Sequence, residues 1–307
     1  MTRRLIVTGV DGFVGRHLAR AAAGAGIEVF GISRGITADQ ALSVDLTGYI
    51  SADLRELWPA DLPTDAAVVH LAGLAAVGPS FDRPQEYIAA NSAMVTNMCE
   101  ALLDAGQSGR IVGVSTGAVY AQTSDDPARS EDDAVAFTSP YVVSKVLVEN
   151  QLSYYRRRGL RTVVARPFNH VGPGQGPGFI VPDLLAQLRT LAPGEPLRVG
   201  NLRTRRDYTD VRDVARAYLA LAFADHLPHD LYNVASGAAS SGSDILAGLC
   251  EALDRPVPDV ELDPARMRAS DPEVIIGDAS RIQADTDWRP SIRLADTIAD
   301  AVDASSS

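Results

Sequence analysis

The sequence predicts an α/β protein: a doubly wound parallel sheet with helices on both faces, followed by a smaller C-terminal lobe. Two observations predict it. Short β-branched apolar runs recur through the first half of the chain, each followed by a stretch with helical spacing. Such alternation implies parallel strands joined by crossover helices. Past Pro167 the texture changes to segments rich in Gly and Pro. The expected organisation is therefore a sheet domain over residues 1–167 and mainly a substrate-binding lobe over 168–307, with a stretch at about 203–235 returning to the sheet domain.

The elements follow in order. RLIVTGV, Arg4 to Val10, is an apolar run of the kind buried on both faces. It turns into a helix on which Leu18, Ala22 and Ala25 keep helical spacing. IEVFGIS is a second strand and AAVVHLAG, Ala66 to Gly73, a further one, followed by the helical YIAANSAMVTNMCEALLDAG. RIVGVST, Arg110 to Thr116, is a strand, YVVSKVLVENQLSYYRRRG a helix, and RTVVARP, Arg161 to Pro167, one more strand. FNHVGPGQGPGFIVP reads as loop and ALDRPVPDVELDPARMRASDPEV as irregular. DYTDVRDVARAYLALAFAD reads as a helix returning to the sheet, because Val211, Val214, Ala217, Tyr218 and Leu221 keep its period.

Composition removes several functions. The chain has 307 residues, 46% apolar and 22% charged, as in soluble globular proteins. Its formal net charge of -11 argues against a nucleic-acid surface, which needs a basic field. Cys99 and Cys250 have no C-x-x-C spacing and no ligand cluster, so reduced thiols in a cytoplasm and no metal site are expected. The apolar run after Arg3 and Arg4 is broken by Gly9, Asp11 and Gly12, too soon for an export signal. No stretch has the ~18 apolar residues of a membrane span.

Between the first strand and the first helix lie Gly9, Gly12 and Gly15, spaced G-x-x-G-x-x-G. Glycines in that position permit a tight turn and let the backbone N–H groups at the helix start, Phe13 and Val14 included, approach a pyrophosphate. This is a dinucleotide-binding, Rossmann-type arrangement. At the end of the second strand, where an NAD site places a carboxylate for the ribose 2′-hydroxyl, the chain has Ser33 and Arg34. An arginine there suits a 2′-phosphate, so NADP(H) is favoured and NAD(H) possible. Further along, SPYVVSK puts Tyr141 and Lys145 one helical turn apart. A cation at that spacing favours the phenolate and makes a tyrosine a usable acid/base.

Taken together these features resemble, over essentially the whole chain, the extended short-chain dehydrogenase/reductases that act on nucleotide sugars. The resemblance implies Tyr141 as the general acid/base at the sugar oxygen. Lys145 would bind the nicotinamide ribose and lower the tyrosine pKa, and Thr116, in STGAVYA, would hydrogen-bond the reacting oxygen. It implies that Leu71, Ala72 and Gly73 of HLAG line the cofactor, with His70 structural. Asp45–Leu46 in SVDLTG resembles the family's Asp-[Ile/Leu] pair against the adenine, and Asp53–Leu54 in SADLRE competes for that role. Asn91 matches a helix-start asparagine, either a cap or a cofactor contact. RPFNHVGPGQ and VGNLRTRRDYTDVRDV are similar to the GDP-sugar branch, closest to the GDP-4-keto-6-deoxymannose reductases. By that likeness Asn169 contacts the sugar or its diphosphate, and the turn with Asn201 and Leu202 sits near the nucleotide. Arg206 neutralises the diphosphate. Arg268, in MRASDPEV, is a second diphosphate arginine, although Ala269 stands where the motif has proline.

The expected function is NADPH-dependent reduction of a nucleotide-linked 4-keto-6-deoxyhexose, with a homodimer implied by the resemblance. Dehydratases of this type carry carboxylates directly after the Ser/Thr; here Gly117 and Ala118 follow Thr116, and Asp125, Asp126 and Glu131 lie further along. A 4-epimerase with tightly bound NAD uses the same three residues and is the alternative. A non-catalytic dinucleotide-binding protein would need the glycines but not Thr116, Tyr141 and Lys145.

Overall fold

The computed structural model describes residues 2–121, 128–264 and 273–305. The first half runs β1 (Arg4–Thr8), α1 (Phe13–Gly24), β2 (Glu28–Ser33), α2 (Gln40–Ser43), β3 (Gly48–Ser51), β4 (Ala67–His70), α3 (Val77–Asp82), α4 (Pro84–Asp104), β5 (Ile111–Val114) and β6 (Ala128–Arg129). Then come α5 (Pro140–Arg157), β7 (Thr162–Pro167), β8 (Asn169–Val171), α6 (Ile180–Thr190), β9 (Leu197–Val199), β10 (Arg205–Asp210) and α7 (Val211–Phe223). The chain continues through β11 (Leu231–Val234), β12 (Ala239–Ser241), α8 (Gly242–Ala252), β13 (Val260–Leu262), β14 (Val274–Gly277), α9 (Ser280–Asp285) and α10 (Leu294–Ala304).

Seven parallel strands form the main sheet in the order β11-β7-β5-β4-β1-β2-β3. The chain winds outward from β1 to β3, then restarts at β4 and winds the other way. The reversal lies between β1 and β4, and in open parallel sheets ligands bind off the strand C-termini at that point. Thr8 and His70, paired in register, end the two strands there.

The sheet is covered on both faces, as its nearly continuous apolar strands require. Leu5, Val7 and Val69 join Leu18 of α1 and Val214 and Tyr218 of α7 in one core. Their neighbours Ile6 and Val68 point the other way, to Met94 and Met98 of α4 and Val148 and Leu152 of α5. Gly113 brings α5 close: a Cβ there would come within 2.1 Å of Leu152 Cδ1.

A smaller sheet, β12-β10-β14-β6 with β8 beside β10, and the pair β13-β9 make up the remaining strands. The stretch 203–235 divides between the two sheets. β11 sits at the edge of the main sheet and α7 packs on α1, whereas β10 belongs to the smaller sheet. The helix expected from Asp207 begins only at Val211, because the Asp210 side chain accepts the Arg212 N–H and caps it there. The segment expected as loop after Pro167 contains β8, which finds its partner in β10. The irregular stretch beyond Ala252 likewise contains β13, paired with β9. Cys99 and Cys250 are buried and free. Among the described residues no helix is long and apolar enough to cross a membrane.

Candidate functional site

The glycine turn between β1 and α1 is built without side chains. Gly9 has φ +67°, a conformation that favours glycine, and a Cβ on it would lie 3.0 Å from the Ala72 nitrogen. Gly12 donates to the Gly9 carbonyl at 3.0 Å, and a Cβ on Gly15 would lie 2.3 Å from that same oxygen. Gly12 caps α1 with no side-chain hydrogen bond, which leaves the first N–H groups of the helix for a ligand. Phe13 and Val14 open that helix, and the Phe13 ring stacks on His170 with centroids 6.1 Å apart. His17 shares a 2.8 Å hydrogen bond with the Pro173 carbonyl, so the first turns of α1 meet the loop after β8.

Across the turn, Thr8 organises the end of β4. Its hydroxyl accepts the Leu71 and Ala72 N–H groups, both at 3.1 Å, and stands 2.9 Å from His70 Nδ1. With its lone pairs used, the hydroxyl gives its proton to Nδ1, which puts the imidazole proton on Nε2. Burial, followed by the nearby Lys145, pushes the His70 pKa down to about 3, so the ring is neutral. His70 is thus a structural strut. Gly73 continues this wall, where a Cβ would lie 3.2 Å from Asn91 Oδ1 and 3.7 Å from Lys145 Nζ.

Asn91 does not cap a helix start; it lies inside α4. Its Oδ1 accepts the Leu74 N–H at 2.8 Å, while Nδ2 donates to the Leu74 carbonyl and to Ser144 Oγ at 2.9 Å. With both amide donors spent, its role here is to tie the loop after β4 to α5. At the far end of the cradle Ser33 is buried and Arg34 exposed. Arg34 enters no ion pair among the described residues. The two Asp-Leu pairs fall at opposite ends of β3. Asp45 and Leu46 precede β3, at the N-terminal edge of the sheet, where Thr47 donates to Val29. Asp53 and Leu54 follow β3 at the C-terminal edge, the edge that carries Ser33 and the glycine turn. Asp53 feels Arg34, although its clasp by Arg55 is what chiefly holds its pKa down, at about 2.

The three chemical residues come together beside this cradle. Ser139 caps α5 by accepting the Val142 N–H at 3.2 Å and Pro140 follows, so Tyr141 lies in the first turn and Lys145 one turn on. Thr116, two residues past β5, accepts the Ala118 N–H at 3.2 Å and stands close enough to Tyr141 to pull the phenol pKa down. Lys145 Nζ donates to the Val114 carbonyl at 2.8 Å and stands 6.0 Å from the Tyr141 ring centroid. The pKa expectation for Tyr141 is reversed. Burial pushes it up to about 12 against the opposing pull of Thr116. Burial also weakens the cation itself, holding Lys145 down at about 8 against a smaller upward pull from Glu149. A phenol in this state is protonated at neutral pH and is placed to donate.

The groups expected on substrate lie on β8, β10 and their loops. Asn169 is exposed and pairs in register with Tyr208. Arg206, two residues before Tyr208, shares that face of β10; it is buried and donates to the Arg205 carbonyl at 2.8 Å. Asn201 is exposed and accepts the Arg203 N–H at 3.0 Å. Leu202 is a packing residue: it joins the core of the smaller lobe, and a Cβ on Gly242 would lie 2.8 Å from its Cδ2. Arg268, Asp125 and Asp126 lie outside the described residues.

Two further features of the site are the uniqueness of Lys145 and one residue not expected from the sequence, Glu149. Lys145 is the only lysine in the chain; every other member of the 28 Lys and Arg residues is arginine. Glu149 repeats the four-residue step from Tyr141 to Lys145, and its carboxylate takes a bidentate bond from Arg166 at 2.8 and 2.7 Å and one from Ser115 at 2.5 Å. The signal for it is that same step, which, carried one turn further along the helix face, lands on a carboxylate.

Comparison with known proteins agrees with this geometry. The NAD dependent epimerase/dehydratase family model matches residues 5–235. GDP-6-deoxy-D-mannose reductase of Pseudomonas aeruginosa is 34% identical, over 97% of this chain and 95% of its own. Among solved structures, RMD from Pseudomonas aeruginosa complexed with NADPH superposes with a TM-score of 0.80 at 30% identity, covering 99% of this chain and 98% of that one. UDP-glucose 4-epimerase of Thermus thermophilus, in complex with NAD, gives a TM-score of 0.82 at 26% identity, covering 98% of each chain. The glycine cradle at the strand reversal, the Thr116, Tyr141 and Lys145 set beside it, and these matches show that the chain belongs to the NAD dependent epimerase/dehydratase family.

Proposed function

We propose that this protein uses NADPH to reduce the 4-keto group of a nucleotide-linked 4-keto-6-deoxyhexose, most simply a GDP-sugar, as a step in deoxysugar biosynthesis. One observation carries the choice of reaction. Thr116, Tyr141 and Lys145 meet at the strand reversal, yet the position after Thr116 is closed to the carboxylate a dehydratase needs. A Cβ on Gly117 would lie 2.9 Å from the Phe168 ring, so a carboxylate side chain there would have to displace that buried ring. Ala118 offers no acid. Glu131 is engaged elsewhere, accepting the Asn233 N–H at 2.7 Å and facing Arg281 at 3.5 Å. The likeness to a GDP-6-deoxy-D-mannose reductase supports the substrate class.

The turn fits a dinucleotide: Gly9 and Gly15 let its backbone close tightly, since an added Cβ would lie 3.0 Å from the Ala72 nitrogen or 2.3 Å from the Gly9 oxygen, and Gly12 leaves the first N–H groups of α1 without a side-chain cap. The free N–H groups at the start of α1 would take the pyrophosphate, and Arg34 a 2′-phosphate. Bound there, the reduced nicotinamide supplies a hydride. Thr116 and Tyr141 hold the ketone oxygen between them, and Tyr141 passes it the phenolic proton, so that C=O becomes CH–OH. Lys145, one helical turn beyond Tyr141, would hydrogen-bond the nicotinamide ribose. Asn169 and Arg206, on one face of the smaller sheet, would orient the sugar diphosphate, with a substrate lobe made mainly of 168–307, apart from the segments of about 203–235 that return to the sheet, beside a 1–167 dinucleotide domain. A cytoplasmic homodimer through α4 and α5 completes the reading, and light scattering of the purified protein tests it.

The test of function supplies GDP-4-keto-6-deoxymannose and NADPH to the purified enzyme. Stoichiometric NADPH oxidation with formation of a GDP-6-deoxyhexose is expected. Interconversion of C4 epimers without added cofactor, by protein that purifies with NAD, would install the 4-epimerase that the Thermus thermophilus likeness also supports. Cofactor binding without either reaction would mean a non-catalytic protein.

A further inference from the structure

Glu149 lies behind the site and touches none of the groups expected on substrate, yet it is the point at which three elements of the site are joined. Its side chain is 13% exposed and that of its partner Arg166 is 5% exposed, so the pair is shielded from water. The carboxylate accepts Ser115 Oγ at 2.5 Å, and Ser115 is the residue before Thr116 at the end of β5. It accepts Arg166 Nε and Nη2 at 2.8 and 2.7 Å, from β7, the strand that leads through Phe168 into Asn169 and β8. On α5 it stands one turn beyond Lys145, on the same face.

We propose that Glu149 is a positioning residue of the active site: it ties the strand end bearing Thr116 to the helix turn bearing Lys145 and supplies the negative charge that faces the lysine ammonium. Among the described residues no other carboxylate does the second job. His70 reaches Lys145 from β4 but is neutral and buried. Tyr141, on α5, keeps its proton, and the groups facing it are the uncharged Thr116, Tyr87 of α4 and Tyr218 of α7. The Arg166 guanidinium from β7 repels a lysine. Burial works against its own charge, but the bond to Glu149 more than offsets this and keeps its pKa above the ordinary value. Glu149 is therefore the carboxylate that favours the charged lysine, and its upward pull opposes the larger effect of burial.

The inference rests on the proposed function for the choice of Thr116 and Lys145 as working groups, so its test is made independent of turnover and of cofactor. Because the chain has a single lysine, protein grown with lysine carrying carbon-13 at Cε gives one side-chain signal, whose shift follows the charge on Nζ. The wild-type midpoint is expected near 8. Glu149→Gln keeps the shape and removes the charge, and the midpoint should fall by about one pH unit, the scale set by a neighbouring charge. Arg166→Gln should leave the midpoint unchanged or raise it. Mere loosening would hydrate the lysine and raise the midpoint in both variants. Circular dichroism verifies the fold, and if Glu149→Gln strands the buried guanidinium and unfolds, the midpoint of Glu149→Gln/Arg166→Gln should lie about one pH unit below that of Arg166→Gln. A midpoint that is unchanged or raised in the folded Glu149 variant overturns the proposal. Where reduction is observed, the alkaline limb of kcat/KM should move down with the midpoint; a moved midpoint with no reduction would leave Glu149 in place and remove the functional reading instead.

Discussion

Replacing Lys145 by methionine should destroy turnover and stabilise the protein. Burial holds the lysine at about 8 against an ordinary 10.5. Keeping the ammonium charged at pH 7 therefore costs the folded state about 3 kcal/mol, at ~1.4 kcal/mol for each tenfold change in the equilibrium. Methionine has a similar length and needs no proton. It also leaves the Val114 carbonyl without its donor, which returns about 1 kcal/mol. The net gain at pH 7 is then about 2 kcal/mol, or about 4 °C in Tm for a chain of this size. The pH dependence supplies the sign. Between about 8 and 10.5 the unfolded chain still holds the proton that the folded one has released. Wild type thus gains stability as pH rises through that window, and loses it again as pH falls towards 8. Lys145→Met lacks this term, so its advantage should shrink to nothing and reverse by about 1 kcal/mol above the window. Urea unfolding of both proteins at pH 7 and pH 9.5 measures the difference directly. A variant less stable than wild type at pH 7, or an advantage that does not change with pH, would refute the reasoning.

Three other outcomes are expected. Tyr141→Phe removes only the hydroxyl, so unfolding curves and cofactor affinity should match wild type while turnover of the keto-sugar falls by about 10²–10⁴; a near-normal rate would mean that another acid acts. Arg34→Ala should weaken NADPH binding by about 10- to 100-fold and leave NADH binding unchanged, as for a lost charge-assisted contact; fluorescence titration with both cofactors reads this, and parallel losses would remove the 2′-phosphate assignment. Gly15→Ala places a Cβ 2.3 Å from the Gly9 oxygen and 2.7 Å from Val10 Cα, both backbone atoms that cannot rotate away. The first turn of α1 must move, with a loss of about 1–3 kcal/mol in stability and weaker NADPH binding in the same titration; unchanged values in both would show that the turn is not the cradle.

The seven-stranded sheet was legible because each of its central strands is buried on both faces and so carries an unbroken apolar run, with helical spacing between. The edge was harder. Gly48–Ser51 is a four-residue strand only partly buried, and its composition resembles a turn. Without that strand the two candidate adenine-side pairs cannot be told apart, since Asp45–Leu46 and Asp53–Leu54 differ in which end of it they occupy. The smaller lobe resisted for another reason: β8 and β10 are held to each other by pairing across 39 residues, not by local pattern. In the site, Tyr141, Lys145 and the glycines were visible because their chemistry demands fixed spacings. The tyrosine's raised pKa was not, because it depends on how completely neighbouring helices bury the ring. Asn91 and Glu149 were obscure for a related reason: their work lies in joining segments far apart in sequence, and spacing along one helix does not record that.

The solitary lysine also turns the enzyme into its own stability gauge. A protease that cuts only after lysine has one scissile bond here, Lys145–Val146, within an 18-residue helix whose lysine is 8% exposed. The closed protein offers it no substrate, and every cut must wait for that helix to open. Under conditions where reclosing outruns cleavage, the rate of appearance of the two fragments measures the free energy of that opening and nothing else. A cofactor that grips the helix through Lys145 would slow the cut in proportion to its occupancy, so ligands could be ranked by gel, with no assay of the reaction at all.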